Sequence, residues 1–293
     1  QVLTTTSGGD AQKQLNDIND YIAQGVDAIV AVPDDSAGIC VAVENAKAQG
    51  IPFYTIDRSP SGCEINMTVL SDNYLAGQQS GEAVVAWLTE KYGEPKGTVL
   101  EITGNMAQNV AQLRGGGFQE VINANEGIDL ITQFGDWEAD KGVDIVRDMA
   151  SAEELDAIYF HSDCVYTPGT LATLEQIGKL VPRGEEGHIF LAGVDACLQA
   201  LDAIRAGYSD QASNQPIPDF GVIAADFIEK ELAGEAIEEG DVVQEGALWS
   251  PARIEMSDVG PQLFLSTFSV SPDTVDDERL WGNIEAAMAA EGE

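Results

Sequence analysis

Short apolar runs bounded by glycine or proline recur along this chain, with helix-periodic stretches between them, and that alternation is the strongest constraint on its fold. Leu15, Ile18 and Ile22 recur at helical spacing, Gly25 stands where a helix C-terminal glycine belongs, and 28–32 then form a continuous apolar run closed by Pro33. The unit repeats at once. Ser36 is placed to cap a helix running to Gln49, Gly50 ends it, and 51–56 make the next buried strand. Strands apolar on both faces imply a parallel sheet covered by helices on both sides.

Further strands are expected at 67–70, 98–103, 129–134, 157–160, 189–194 and 211–213, and further helices at 74–91, 112–125, 141–149 and 219–232. A spacing of about 20 to 35 residues between strands matches βαβ units with right-handed crossovers. The chain is therefore read as a doubly wound α/β protein, and 293 residues exceed what one such sheet needs, which favours two domains. After Leu232 the pattern lapses through an acidic, glycine-bearing stretch and resumes as one alternating strand at 263–270. The residues from 276 onward read as a short acidic helix with an exposed tail.

Charge removes several function classes. Against 14 Lys and Arg stand 50 Asp and Glu, a formal −36, so the chain repels polyanions, and nucleic acid and anionic membrane surfaces are poor partners. No apolar run approaches the roughly 18 residues of a membrane span. The two histidines exclude a histidine-rich metal site, and no Cys spacing suggests zinc. The four cysteines allow two bridges, most naturally Cys40 with Cys63 and Cys164 with Cys197, the alternative being four buried thiols.

In doubly wound sheets the ligand sits beyond the carboxyl ends of the strands. The polar residues there are Asp34, Asp35, Asp57, Arg58, Ser71, Asp72, Asn73, Asn105, Trp137, His161, Ser162, Asp163, Asp195, Asn214 and Gln215, with Arg114 the other arginine of note. Carboxylates and amides accept, arginine donates in a fixed fork, and an indole stacks on the apolar face of a sugar ring, so this set suits a neutral polyhydroxylated ligand. Taken singly, each is better read as a cap, a turn residue or a solvated loop residue than as a ligand contact. There is no dinucleotide or P-loop glycine motif and no nucleophile elbow; Gly115, Gly116 and Gly117 fall within or just before a helix and read as close packing. No enzyme activity, cofactor or metal is expected.

The stretches DAQKQLNDINDYIAQGVDAIVAVPDDS (10–36), GIPFYTIDR (50–58), SDNYLAG (71–77), QLRGGGF (112–118), GDWEADKG (135–142), AGVDA (192–196) and SNQP (213–216) closely resemble periplasmic monosaccharide-binding proteins of the ribose-binding type, the solute receptors of ABC importers. The resemblance implies a type I periplasmic binding protein: two doubly wound, Rossmann-like α/β lobes joined by a three-crossing hinge, which close on a sugar between them. It places 1–71 and 215–266 in an N-terminal lobe, and 72–214 and 267–293 in a C-terminal lobe with an acidic tail. Position by position, Asp57 and Arg58 resemble the pair that holds ring hydroxyls, and Asn73 the amide in the next loop. Arg114 resembles the second-lobe arginine, Trp137 the stacking aromatic, Asp195 the second-lobe carboxylate and Gln215 the amide at the hinge. Ser162 and Val32 stand where ribose binders carry Asn, departures that favour another pentose, a hexose or a polyol at least as much as ribose.

The resemblance also implies that the family's first strand and helix lack counterparts here, so that 2–6 would be a strand and another segment must fill a central position unless the sequence is truncated. The stretch 234–261 is longer than in the ribose binders and reads as a surface loop. The expected partners are a monosaccharide and an ABC permease, the expected state a monomer, and the expected location the periplasm or the outer cell surface. The effector domain of a LacI-type regulator shares this fold and is the alternative; its basic DNA-binding helices are not found, and the charge opposes it. The sensing domain of a membrane receptor and a sugar-modifying enzyme are more distant alternatives.

Overall fold

The computed structural model describes residues 1–291. In chain order its elements are α1 (Ala11–Gln24), β1 (Ile29–Ala31), α2 (Cys40–Ala48), β2 (Phe53–Ile56), β3 (Met67–Ser71), α3 (Asn73–Tyr92) and β4 (Gly97–Thr103). There follow α4 (Asn109–Asn123), β5 (Ile128–Phe134), α5 (Ala139–Ala152), β6 (Ala157–Phe160), α6 (Asp163–Gln176), β7 (Phe190–Asp195), α7 (Leu198–Arg205) and β8 (Gln211–Asn214). The last are α8 (Ile217–Leu232), β9 (Gly240–Val242), β10 (Ala252–Ser257), β11 (Gly260–Leu265), β12 (Phe268–Val270) and α9 (Trp281–Glu291). The chain divides into two compact units, one of 1–71, 107–110 and 217–266, the other of 72–106, 111–216 and 267–293. No helix among the described residues is long and apolar enough to cross a membrane.

The first unit is built on a sheet of order β1-β2-β3-β11-β10-β9, parallel from β1 to β11 and antiparallel from β11 to β9. Ile18, Ile29, Val43 and Phe53 pack into one buried cluster, and Tyr54, Met67, Phe220, Trp249 and Leu263 into another. Asp10 starts α1, its carboxylate accepting from the amides of Gln12 and Lys13, and Gly25 ends it in the left-handed region. Ser36 does not cap α2. The helix starts later, at Cys40, because Asp35 takes the amides of Ala37 and Gly38 in a turn of its own.

Residues 2–6 are not a strand. The groups of the next β-edge, the Val32 carbonyl and the Asp34 amide, are met by the Gln14 side chain instead, and no described segment fills a position beyond β1. The stretch 234–261 is not a loop either: it supplies β9 and β10, which extend the sheet past β11. The single strand expected at 263–270 is two. Its first part pairs with β3 and β10, its second with β8, and the break falls at Ser266 and Thr267.

The second unit holds a sheet of order β12-β8-β7-β6-β4-β5, parallel except for the antiparallel β12. Alternate residues of its strands feed opposite cores: Val99, Tyr159 and Ala192 pack with Phe118 and Leu88, while Leu100, Ile158 and Leu191 pack with Val146 and Leu174. The triple glycine lies inside α4 and serves packing. A Cβ on Gly117 would stand 2.0 Å from the Tyr74 carbonyl oxygen, and one on Gly77 would stand 2.2 Å from that of Arg114, so α3 and α4 touch backbone to backbone. Both cysteine pairs are bridged, Cys40 with Cys63 in the first unit and Cys164 with Cys197 in the second.

Candidate functional site

Six of the eight candidate residues lie together in the second unit, at the carboxyl end of its sheet. Asn73 opens α3, Arg114 lies on α4, Trp137 follows β5, Ser162 follows β6, Asp195 ends β7 and Gln215 follows β8. Arg114 is their centre, with a relative exposure of 4%. Its Nε donates to Asn73 Oδ1 at 2.8 Å, its Nη1 donates to the His161 carbonyl at 2.5 Å and lies 3.2 Å from Asp195 Oδ1. The guanidinium carbon stands 5.8 Å from the centre of the Trp137 ring. Asp195 takes a second hydrogen bond, from Ser162 Oγ at 2.5 Å, and its carbonyl accepts from the Gln215 amide at 3.1 Å.

Trp137 is held from below and behind. Tyr166 Oη accepts its amide at 2.9 Å and donates to the Thr103 carbonyl at the same distance. Beneath the ring, a Cβ on Gly104 would fall 1.8 Å from the indole, so only glycine leaves room. The remaining candidates, Asp57 and Arg58, are a pair in the first unit: Arg58 Nε lies 3.2 Å from Asp57 Oδ2, and Nη1 donates to the Pro33 carbonyl at 3.2 Å. Val32, the other position singled out, is partly exposed at the end of β1.

Backbone conformation marks the same places. Among the described residues, the non-glycine positions with positive φ are Asp57 at 65°, Asp136 at 54°, Trp137 at 62°, Asp195 at 120° and Ala196 at 62°. Three are candidate ligand residues and the other two adjoin them. L-residues enter this region at a cost of order 1–3 kcal/mol each, and such strain collects where a binding geometry requires it.

Glu101 was not singled out from sequence, and His161 and Asp163 entered only among the polar residues at the strand ends. His161 is fully buried with Nε2 2.9 Å from Glu101 Oε1, and Glu101 Oε2 accepts from Gln119 and Thr132, each at 2.7 Å. Burial holds the His161 imidazole below its ordinary pKa, the Glu101 hydrogen bond only partly opposing it and Arg114 adding to it. With Nε2 donating to the carboxylate, Nδ1 is left as an acceptor, and it has no protein donor; Gln215 Oε1 is a second buried acceptor without one. Asp163 accepts the Ala196 amide at 3.1 and 3.2 Å, and burial, then the nearby Asp195 charge, pushes its carboxyl well above the usual range. Glu101 was hidden because a carboxylate within a strand reads as a solvent-facing position.

The grouping as a whole is one buried cation ringed by acceptors beside a half-buried indole. It can donate to, accept from and stack on a small neutral molecule.

Comparison with known proteins agrees with this architecture. The chain is 31% identical over 208 residues to the ribose import binding protein of Bacillus subtilis (strain 168), an alignment covering 70% of this chain and 63% of that relative. The chain thus spans less than two thirds of that relative's length. Among solved structures, the fructose-binding periplasmic domain of a hybrid two-component system superposes with a TM-score of 0.79 at 20% identity, covering 99% of this chain and 85% of that one. The periplasmic binding component of the arabinose ABC transporter of Shewanella sp. ANA-3 gives 0.76 at 21% identity, covering 96% and 85%. These likenesses carry the fold. The family model described as a periplasmic binding protein domain matches residues 1–236, and with two α/β units of this topology the chain belongs to that family.

Proposed function

We propose that the protein is an extracytoplasmic receptor for a monosaccharide or a related neutral polyol, which it delivers to an ABC-type permease, acting as a monomer without chemistry of its own. One observation carries the reading: Arg114, a buried cation, is neutralised by Asp195 and donates to Asn73 and His161 beside the indole of Trp137, while two further buried acceptors, His161 Nδ1 and Gln215 Oε1, lack a protein donor. Hydroxyl groups can donate to those acceptors and accept from the guanidinium, while the C–H face of a ring stacks on Trp137. A charged ligand fits less well. An anion meets the overall −36, and a cation meets Arg114.

Asp57 and Arg58 belong to the same reading as the first unit's contribution. Its support is the resemblance of GIPFYTIDR and the left-handed backbone at Asp57. The names of the relatives support the ligand class, since they speak of ribose, fructose and arabinose.

The test is thermal unfolding in the presence of D-ribose, D-fructose, L-arabinose, D-galactose and myo-inositol, with gluconate as an anionic comparison. A ligand that binds only the folded state stabilises it by about 2.7 kcal/mol at a hundred times its Kd. At least one neutral member should raise the midpoint and gluconate should not. A flat response to every neutral member, or a shift that survives Trp137→Ala unchanged, overturns the reading.

A further inference from the structure

We infer that the Cys164–Cys197 disulfide is a positioning device for the sugar site: by tying the turn after β6 to the turn after β7, it holds Ser162 and Asp195 in register with Arg114. The inference rests on the function proposed above and adds to it how the site is kept in shape.

The bridge joins the two turns that bring most to the acidic side of the cluster. Cys164 lies two residues after Ser162, and Cys197 lies two residues after Asp195, with their Cα atoms 5.7 Å apart. Between the same turns run Ser162 Oγ to Asp195 at 2.5 Å and the Ala196 amide to the Asp163 carboxyl at 3.1 Å. The Ser162 hydroxyl is further shared with the Val165 amide at 3.4 Å. A Cβ on Gly193 would stand 2.7 Å from Asp163 Cβ, so the turns meet closely.

The clamp has work to do because the second turn is strained. Asp195 at φ 120° and Ala196 at φ 62° sit where non-glycine residues persist only when their surroundings over-determine them. The side-chain hydrogen bonds across the turns are few, from Ser162 to Asp195 and from the Ala196 amide to Asp163. A covalent link removes the separated arrangements of the two turns, which keeps Asp195 Oδ1 against Arg114 before a sugar arrives. Ordering the site beforehand lowers what binding must pay in lost freedom. The other side of the second turn is backed by the Gly282 amide, which donates to the Ala196 carbonyl at 3.2 Å, so the tether supplies the side that faces Ser162.

The experiment compares the unmodified protein with Cys164→Ser/Cys197→Ser, and with the unmodified protein treated with dithiothreitol. In that treatment the S–S bond takes up two electrons and two protons to give two thiols, and the reagent closes to its cyclic disulfide. Hydrogen exchange is read first, without sugar. The Ala196 and Val165 amides should exchange at least tenfold faster in the serine pair, while the Leu100 and Ile158 amides of the central strands stay as protected as before. Titration calorimetry with whichever of D-ribose, D-fructose, L-arabinose, D-galactose and myo-inositol binds the unmodified protein should then show at least tenfold weaker affinity.

Unchanged exchange at Ala196 and Val165 overturns the tether. Faster exchange with unchanged affinity overturns its part in binding. A protein that binds none of the five compounds overturns the proposed function, and the exchange measurement still decides whether the bridge orders the turns. If the serine pair loses protection at Leu100 and Ile158 as well, Cys40→Ser/Cys63→Ser is compared before and after reduction with dithiothreitol, so that only the Cys164–Cys197 bridge differs, and the same loss there shows a bridge that holds the fold, against the inference.

Discussion

Arg114 commits its Nε and Nη1 to protein acceptors while remaining the cation around which the cluster is arranged. Arg114→Ala strands the Asp195 carboxylate as well as removing a donor, so sugar affinity should fall by about 2 kcal/mol, roughly 30-fold, in titration calorimetry. Wild-type affinity in that variant contradicts the site.

The two histidines should leave opposite marks on stability. Burial depresses His188, but Asp210, 3.0 Å from Nε2, and the Val181 carbonyl, 2.8 Å from Nδ1, more than offset it, and its pKa is raised despite the Arg183 charge on the same carboxylate. Both ring nitrogens face acceptors, which only the doubly protonated ring can satisfy. A raised folded pKa gives stability that is fully present below the unfolded value near 6.5 and lost as pH rises through the folded value. His161, depressed, does the reverse: its contribution is present above about 6.5 and lost as pH falls. In urea unfolding, His188→Gln should be less stable than wild type at pH 6, with the gap narrowing by pH 9. A gap independent of pH contradicts a charged His188.

At the scale of elements, the contact of α3 with α4 depends on hydrogen in place of a side chain. Gly117→Ala puts a methyl into the Tyr74 carbonyl, a backbone group that cannot swing aside, so the helices must part. Overpacking of this kind costs about 1–3 kcal/mol, and because Arg114 rides on α4 the variant should also bind sugar more weakly. Gly117→Ala with unchanged stability in urea would show a looser helix pair than the distances give.

Legibility from sequence followed burial. The strands β2, β4, β6 and β7 were readable because each is apolar on both faces and ends at glycine or polar residues. The carboxyl ends of β6 and β7 then pointed to Ser162 and Asp195, and those of β3 and β5 to Asn73 and Trp137, among a longer set of polar residues. Helix α6 was missed because Pro168 and Gly169 sit inside it, and α7 because it is only 8 residues long. No glycine or proline interrupts 263–270, so nothing local tells that β11 and β12 join different sheets. Acidic and glycine-bearing composition disguised β9, and β10, although Ala252, Ile254 and Met256 alternate with Arg253, Glu255 and Ser257, is a short strand directly after that acidic stretch. Within the site, the His161–Glu101 pair was invisible because a fully buried carboxylate is identified by its partners and not by its neighbours in sequence.

For the whole molecule the dominant fact is a charge of −36 on 293 residues. Self-repulsion at that density opposes compactness, and salt relieves it by shortening the screening length from about 30 Å at 0.01 M to about 3 Å at 1 M. The thermal midpoint should therefore climb as sodium chloride is raised over that range. A midpoint that stays level or drops would mean that attractive ion pairs, such as Arg183 with Asp210, outweigh the general repulsion.

Neither compact unit is a continuous piece of chain. During synthesis, β3 must wait with one edge open until 260–265 has been made, and β8 waits for 268–270. An unpaired apolar edge invites pairing with other chains. Neither sheet can be completed on the ribosome before 260–270 has been made, so a nascent chain stalled before that point should be the form that aggregates or calls on a chaperone.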